Sequence, residues 1–493
     1  MFHIILLLAI GDYIVCPINK AIIDSLYAHR IHISSIRGDT AIVSGDTSIF
    51  TELHLNVKPL IIPKAPYHTF EEVEFILDSL SQLYPEITQI ETIGYSLHNR
   101  PILCLEIGVK STYLKPRIRL GSTIHGNEPP GTELLLMLAD SLLTGYYADP
   151  SITEIIDSSF ICIVPILNPD GFVAGTRYNA NGVDLNRNFP VPDSSIGADN
   201  TFSLEPETEA IINWANAKSF STGLTFHTGA ALVNCLWDYT TDLPPDSELI
   251  INIGKGYAYF NPAMTWVGYG AEWYIATGTL QDWAYAYTGA IDYTIELCNE
   301  FAPDTTYLDS IWEQNKEAII YFLKRSIWGG INLTITDIEN NSPLEAKVNI
   351  HSRMHFYTDP TYGFFHRPLL PGTYTLTIQK EGYLDTTITI TLTDTVNIAV
   401  EIALIPKSPK LLLSASPSIN QGTFKITINL EPARDISLII TDIAGRCILT
   451  ESLEDISTLE KYYHLDVPSG RYFVLLKNSI GRVIANYPIV VLH

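Results

Sequence analysis

The chain has 493 residues, with 30 Lys and Arg against 54 Asp and Glu, a formal charge of −24. So acidic a surface excludes a nucleic-acid partner, whose phosphates need basic surface, and docking on anionic lipid. With 46% hydrophobic and 11% aromatic residues the composition excludes a disordered chain, and at about 100–200 residues per domain it has room for three or four domains.

At the amino end, residues 4–10 form an apolar stretch that reads as the core of a secretory signal over residues 1–16. No Lys or Arg precedes it and no A-x-A follows, so a buried first strand is the other reading. Residues 17–62 mix short apolar runs with polar breaks, as in a small α/β pro-like segment ahead of Pro63 and Pro66. Over 67–86 the spacing of Val73, Phe75, Ile76, Leu80 and Leu83 predicts an amphipathic helix. Strands are expected over 102–107 and 118–124. A helix over 132–143 follows, announced by Pro129, Pro130 and Gly131, and then a strand over 160–167. Near-continuous apolar strands alternating with helices imply a mixed, largely parallel central sheet with helices on both faces. This α/β pattern spans 64–328.

After Gly329 and Gly330 the period becomes two: 373–378 (TYTLTI) and 386–392 (TTITITL) alternate, which predicts a small β-sandwich over 329–405. A linker at 406–409 leads to a second all-β module over 410–493, where Phe424, Ile426, Ile428 and Leu430 alternate with polar residues. No apolar run of about 18 residues occurs, so no transmembrane segment is expected. The six cysteines contain no C-x-x-C, which argues against a cysteine zinc site. Cys104 and Cys162 lie in apolar runs and read as buried free thiols.

Four places carry chemistry. His125-Gly-Asn-Glu128 sits where a strand ends and a helix begins, the strand's carboxyl end at which α/β sheets bind ligands. Thirteen histidines give about one H-x-x-E by chance, so alone this pair could be an ordinary surface contact. His227, after Leu224-Thr-Phe, is a second candidate ligand; two His and one carboxylate leave a fourth zinc position for water. Arg177, Asn186 and Arg187 lie in Asn- and Gly-rich turns and suggest recognition of a carboxylate. Glu296 interrupts the apolar strand Tyr293-Thr-Ile-Glu-Leu. It is either partnered structurally or a base with a raised pKa.

The ordered series H-G-N-E, N-P-D-G, R-x-N-A-N-G-x-D-L-N-R-N-F-P, H, W-Y, G-x-x-Q-D-W and x-T-x-E-L, over about 66–326, strongly resembles the zinc metallocarboxypeptidases. It is most similar to their N/E branch. The resemblance implies the carboxypeptidase/phosphorylase-like α/β fold and one zinc ion held by His125, Glu128 and His227. It implies Arg177 as the group that steadies the oxyanion, and Asn186 with Arg187 as the grip on the substrate's terminal carboxylate. Asp184 would orient the first zinc histidine, Tyr274 would cap the substrate, and Glu296, 22 residues on, would be the general base. An Asp eleven residues after the second zinc His and a Gln seven after the mobile Tyr line the pocket of that branch for a basic side chain. Here these positions hold Asp238 and Gln281, which implies preference for C-terminal Lys or Arg. Departures are Thr228 within the usual H-G-G, Thr132 in place of an Arg, and the shifted Cys298.

The segment 329–405 resembles the transthyretin-like sandwich that follows such catalytic domains, expected to brace the fold. Residues 410–493 resemble sorting domains of bacterial secreted proteins, implying a secreted or cell-surface protein attached through that module. The partners implied are peptide or protein C-termini. Two rival functions stay open at this stage: a cell-wall hydrolase acting on diaminopimelate-containing peptides, and a catalytically inactive surface binding protein.

Overall fold

A computed structural model describes residues 67–110, 113–192, 203–350, 354–393, 396–407 and 410–493. Ahead of these it describes four strands, β1 (Gly11–Val15), β2 (His32–Arg37), β3 (Thr40–Gly45) and β4 (Val57–Pro59), in a sheet of order β2-β3-β1-β4. Of the expected signal segment, residues 1–10 and 16 lie outside the described residues, as do the stretches between these strands.

The first described helix, Phe70–Leu83, starts at a capping box in which Thr69 and Glu72 satisfy each other's backbone N–H. Its buried stripe is Phe70, Val73, Leu77 and Leu80. Phe75, counted on that face from sequence, points to solvent, because it sits two residues, about half a turn, from Val73.

Next come β5 (Thr88–Tyr95), β6 (Pro101–Ile107), β7 (Arg117–Ser122), β8 (Phe160–Val164), β9 (Thr222–His227), β10 (Ala230–Cys235), β11 (Trp266–Tyr269) and β12 (Ile291–Cys298). They form one eight-stranded sheet of order β11-β10-β12-β9-β7-β8-β6-β5. The pairs β7–β8, β7–β9, β9–β12 and β10–β11 are parallel, and the edge pairs near β5 and the β10–β12 pair are antiparallel. The sheet is therefore mixed, with a parallel centre. Every residue of β7, β8 and β9 is buried, as strands covered on both faces must be. On one face Cys104, Cys162 and Val164 meet Ile211 and Trp214 of the helix Pro206–Lys218. On the other, Tyr293 stacks edge-on with Phe322 of the helix Leu308–Ile327 and donates to Ile250 O in the helix Ser247–Phe260. One polar pair interrupts this core: Arg119 on β7 is bonded to Asp292 on β12.

The strands β13 (Gly330–Asp337), β14 (Lys347–Ile350), β15 (Met354–Tyr357), β16 (Phe364–Pro368), β17 (Gly372–Gln379), β18 (Thr386–Leu392) and β19 (Ile398–Leu404) form two sheets, β16-β13-β19 and β15-β14-β17-β18. The last module holds β20 (Lys410–Ser416), β21 (Ile419–Asn420), β22 (Thr423–Asp442), β23 (Cys447–His464), β24 (Gly470–Asn478) and β25 (Val483–Val491), in the order β20-β22-β24-β25-β21 with β23 on β22. The alternating Phe424, Ile426, Ile428 and Leu430 all lie in its core. By backbone proximity the chain divides into two compact units, one of Met1–Thr334, Leu344–Ile378 and Thr387–Glu401, the other of Ile335–Pro343, Gln379–Thr386 and Ile402–His493. The segment 329–405 contributes to both. The five described cysteines, Cys104, Cys162, Cys235, Cys298 and Cys447, are free thiols, and Cys16 lies outside the described residues.

Candidate active site

The expected strand over 118–124 stops at Ser122. Thr123 then takes a left-handed conformation (φ 51°), and the turn that follows is closed by Glu128 N–H donating to His125 O at 3.1 Å. This turn aims His125 and Glu128 at one point. It is anchored by Thr123 Oγ1, 2.7 Å from Thr132 Oγ1, which itself donates to Pro165 O at 2.8 Å. Thr132, a departure from the pattern the resemblance implies, is thus a buried hydroxyl link.

The N-P-D-G turn buttresses H-G-N-E. Asn168 Nδ2 donates to Ile124 O at 3.1 Å, and its Oδ1 accepts from Gly171 N at 2.9 Å. A Cβ on Gly126 would sit 1.9 Å from the carbonyl carbon of Gly171, so the two turns touch backbone to backbone. Asp170 is held by Arg100, Ser96 and His98 N, and these donors keep its carboxyl below the usual range despite burial.

His227 ends β9, and Glu296 lies beside it in register on β12, so both side chains leave the same face of the sheet. His227 Nδ1 is 2.9 Å from Glu128 Oε2, His125 Nδ1 is 2.8 Å from Glu128 Oε1, and the two Nδ1 atoms are 3.2 Å apart. Asp184 Oδ1 takes the other ring nitrogen of His125, Nε2, at 3.1 Å. With that N–H given to Asp184, neutral His125 turns the lone pair of Nδ1 toward a carboxylate oxygen, acceptor facing acceptor. A cation resolves this crowding. The separations approach the edge, about 3.3 Å, of a tetrahedron with metal–nitrogen bonds of about 2.0–2.1 Å. Among the described residues this is the one cluster of His, Cys, Asp or Glu side chains able to hold a metal, and its two-His, one-carboxylate set is the donor chemistry of catalytic zinc.

Asp184 does more than orient His125. Its Oδ2 accepts from Arg177 Nε at 2.9 Å, and its Oδ1 also accepts from Asn186 N at 3.0 Å. Asn186 Oδ1 is occupied by Leu280 N at 3.0 Å, while Arg187 donates to Tyr274 Oη at 3.4 Å and to its neighbour's carbonyl at 2.7 Å. Tyr274 is half exposed. Glu296 Oε2 is buried without a partner. Burial pushes the Glu296 carboxyl up to about 7; the Glu128 charge adds to this, and His227 and Arg177 oppose it.

Asp238 is buried beyond β10. Its Oδ1 accepts from Asn234 Nδ2 at 2.8 Å, and its backbone N–H donates to the Asp282 carboxylate at 3.0 Å. Burial raises the pKa of Asp238, against its hydrogen bonds to Asn234 and Thr279. A Cβ on Gly270 would lie 1.8 Å from Asp238 Oδ1, so a side chain there would displace the Asp238 carboxylate.

A cavity of about 230 Å³ is lined by residues that include His125, Glu128, Arg177, Asn186, Arg187, His227, Asp238, Tyr274 and Glu296. Of the residues expected from sequence, Asp184 stands behind this wall. Gln281 does not line the cavity. It is buried in the short helix Leu280–Trp283, with both amide atoms lacking a partner. Cys298 is half-buried, its thiol donating to Glu300 O.

Sequence reasoning missed three supports. Asp282 receives the backbone N–H groups of Asp238 and Tyr239. Glu205 and Glu207 hold the loop that carries Arg177, Asn186 and Arg187: Asn179 Nδ2 donates to both, at 2.7 and 3.2 Å, and Asn181 Nδ2 donates to Glu205. The helix-start signal Glu205-Pro206 marks their place in the sequence, but not their partners.

A family model described as zinc carboxypeptidase matches residues 73–318. Carboxypeptidase SOL1 of Arabidopsis thaliana is 30% identical over 360 residues, which cover 69% of this chain and 73% of that protein. The carboxypeptidase N catalytic chain of Rattus norvegicus is 31% identical over 381 residues, covering 66% of this chain and 83% of the relative. Among solved structures, thrombin activatable fibrinolysis inhibitor is similar with a TM-score of 0.49 and 17% identity, over 64% of this chain and 98% of that one. With relatives at this identity and coverage, and with His125, Glu128 and His227 converging as a zinc site, the chain belongs to the zinc carboxypeptidase family and is a hydrolase of the exopeptidase class.

Proposed function

We propose that this enzyme releases C-terminal Lys or Arg from peptides, and that the residues around the cavity divide the work as follows. His125, Glu128 and His227 hold zinc, which when bound supplies a Lewis acid for the scissile carbonyl and an acidified water. Glu296 accepts the water proton at its unpartnered Oε2 and passes it to the leaving amine. Arg177, oriented by Asp184, faces the developing oxyanion. Asn186 has its side-chain oxygen engaged by Leu280 N, which leaves its amide N–H₂ for the substrate's α-carboxylate beside the Arg187 guanidinium. Only a free chain end offers that carboxylate, hence exopeptidase action. Tyr274, tied to Arg187 from an exposed segment, closes over the bound residue.

The observation that carries the basic preference is Asp238, a buried carboxylate on the cavity wall to which, among the described residues, no Lys or Arg side chain is bonded. Burial disfavours its charge; an entering ammonium or guanidinium restores it. The test is kcat/KM on paired peptides ending in Lys, Arg and Phe. A charge-assisted contact of about 1.5–3 kcal/mol corresponds to a preference of about 10- to 150-fold for the basic residues. A preference for Phe overturns the reading. Higher turnover of diaminopimelate-ended stem peptides favours a cell-wall substrate, and zinc stoichiometry near zero favours a binding protein.

We also infer that the protein acts outside the cytoplasm of a bacterium, with 410–493 as its attachment module. The apolar stretch 4–10 and the turns Thr441-Asp-Ile-Ala-Gly445-Arg and Pro468-Ser-Gly-Arg-Tyr472 support this. Among the described residues, no helix is long and apolar enough to cross a membrane. Cell fractionation of full-length and 410–493-deleted protein tests it; retention of both in the cytoplasm refutes it.

A further inference from the structure

Arg367, on β16 within the segment that follows the catalytic domain, is fully buried. A guanidinium stripped of water needs partners, and the partners of Arg367 are not in its own sheet. It is ion-paired with Asp246, donates to Gly289 O, and lies over the Tyr285 ring at 5.7 Å. Tyr285 Oη donates to the same Asp246 oxygen at 2.7 Å. Arg367, Asp246 and Tyr285 therefore form a closed triangle.

From this triangle two short routes reach Asp238. The Tyr285 ring meets the Trp237 ring edge-on at 5.1 Å, and Trp237 immediately precedes Asp238. Tyr285 also belongs to the turn Ala284–Thr288, which continues directly from the helix Leu280–Trp283. That helix carries Asp282, whose carboxylate receives the backbone N–H groups of Asp238 and Tyr239 at 3.0 Å. The seam is tight where β15 comes up to it. Gly289 has φ 81°, and a Cβ there would be 2.6 Å from Phe356 Cβ and 2.7 Å from His355 O.

We propose that Arg367 is a positioning residue for C-terminal specificity, a strut through which the transthyretin-like segment sets the position of Asp238. This rests on the reading of Asp238 as the site for a basic side chain. Arg367 touches no substrate; it fixes the Tyr285–Trp237 wall and the Asp282 turn between which the Asp238 backbone is held. His125 and Glu128 lie on the turn after β7, His227 at the end of β9, and Glu296 five residues into β12, away from the Trp237 wall and the Asp282 turn, so loosening the strut weakens binding of a basic residue and leaves the chemical step alone.

The test uses the full chain loaded with zinc. kcat and KM are measured on Lys-ended and Phe-ended peptides for wild type, Arg367→Met, Arg367→Lys and Tyr285→Phe. Arg367→Met is expected to lower the Lys-to-Phe ratio of kcat/KM at least tenfold, through KM for the Lys peptide, with Phe-peptide kcat/KM within threefold of wild type. Arg367→Lys, which keeps a cation for Asp246, recovers part of the ratio. Tyr285→Phe deletes one hydroxyl from the triangle and lowers the ratio about threefold, so a readout remains even when Arg367→Met fails to fold. An unchanged ratio in folded variants, or equal losses on both peptides, overturns the proposal. A wild-type enzyme without basic preference defeats the reading of Asp238 and the strut with it. A wild-type preference that survives in the variants defeats the strut alone.

Discussion

Replacing Asp184 by Asn removes a charge from the residue on which three functions converge. Oδ1 accepts from His125 Nε2 at 3.1 Å and from Asn186 N at 3.0 Å, and Oδ2 accepts from Arg177 Nε at 2.9 Å. An asparagine amide has one acceptor end and one donor end. With its oxygen toward His125 and Asn186 it turns N–H₂ against Arg177; flipped, it opposes two donors at once. The first orientation wins, so the variant keeps a neutral acceptor for His125 and releases Arg177. Loss of a charged partner behind a ligating histidine lowers metal affinity about 10- to 100-fold, or about 1.4–2.7 kcal/mol. Release of Arg177, which is about a third exposed and so partly rescued by water, adds about a tenfold loss in kcat/KM at saturating zinc. The assay is competition for zinc against a chromophoric chelator, followed by kinetics with zinc in excess. Zinc affinity within twofold of wild type, together with kcat/KM within threefold, refutes the role assigned to Asp184.

Glu296→Gln should lower kcat by about 10²- to 10⁴-fold while zinc stays bound; near-normal turnover would exclude Glu296 as the base. The base works deprotonated, and burial raises its pKa from the usual carboxylate range to about 7. Activity therefore falls as pH falls through that value, with bound zinc moving the acid limb lower, and a pH profile flat down to pH 4 contradicts this. Gly126→Ala forces a methyl group into the Gly171 backbone; a loss of about 3 kcal/mol or more is expected, read as a fall in Tm with loss of zinc, and an unchanged Tm shows the contact to be soft. Glu207→Gln loosens Asn179 and the loop behind Arg177 and Asn186, so KM should rise severalfold for every C-terminal residue, Lys or Phe alike; a change confined to one peptide places the fault elsewhere.

The parts of this site that carry a local sequence signal were the legible ones. His125 and Glu128 are three residues apart at the end of an apolar strand, and one turn brings them together. The expected strands at 102–107, 373–378 and 386–392 fall on β6, β17 and β18, and the one expected over 160–167 falls on β8 but ends at Val164, because a run that alternates or is wholly apolar has few other ways to bury itself. The strand expected to reach residue 124 stopped at 122, since a left-handed Thr123 is a property of the turn and its buried hydroxyl partners, not of hydrophobicity. Counting also carried Asp238 to the cavity wall, but the same counting put Gln281 there, and the short helix Leu280–Trp283 turns it into the interior. Glu205, Glu207, Asp282 and Arg367 were illegible for another reason. Each acts on a partner tens to more than a hundred residues away, and nothing in local spacing encodes such a pairing.

The zinc site joins parts of the chain that are far apart along it. Glu128 and His227 are 99 positions apart and His125 and His227 are 102, yet their ring nitrogens and carboxylate oxygens meet within 3.2 Å. Tying such a loop shut in an unfolded chain costs about 4 kcal/mol of chain entropy. An ion that closes it does so where β7 and β9 end side by side, at the rim where strand ends would fray first. Zinc is in that sense a tether as well as a reagent. A cell short of the metal would hold not an idle copy of the enzyme but one with a loosened rim, exposed to whatever proteases share its compartment.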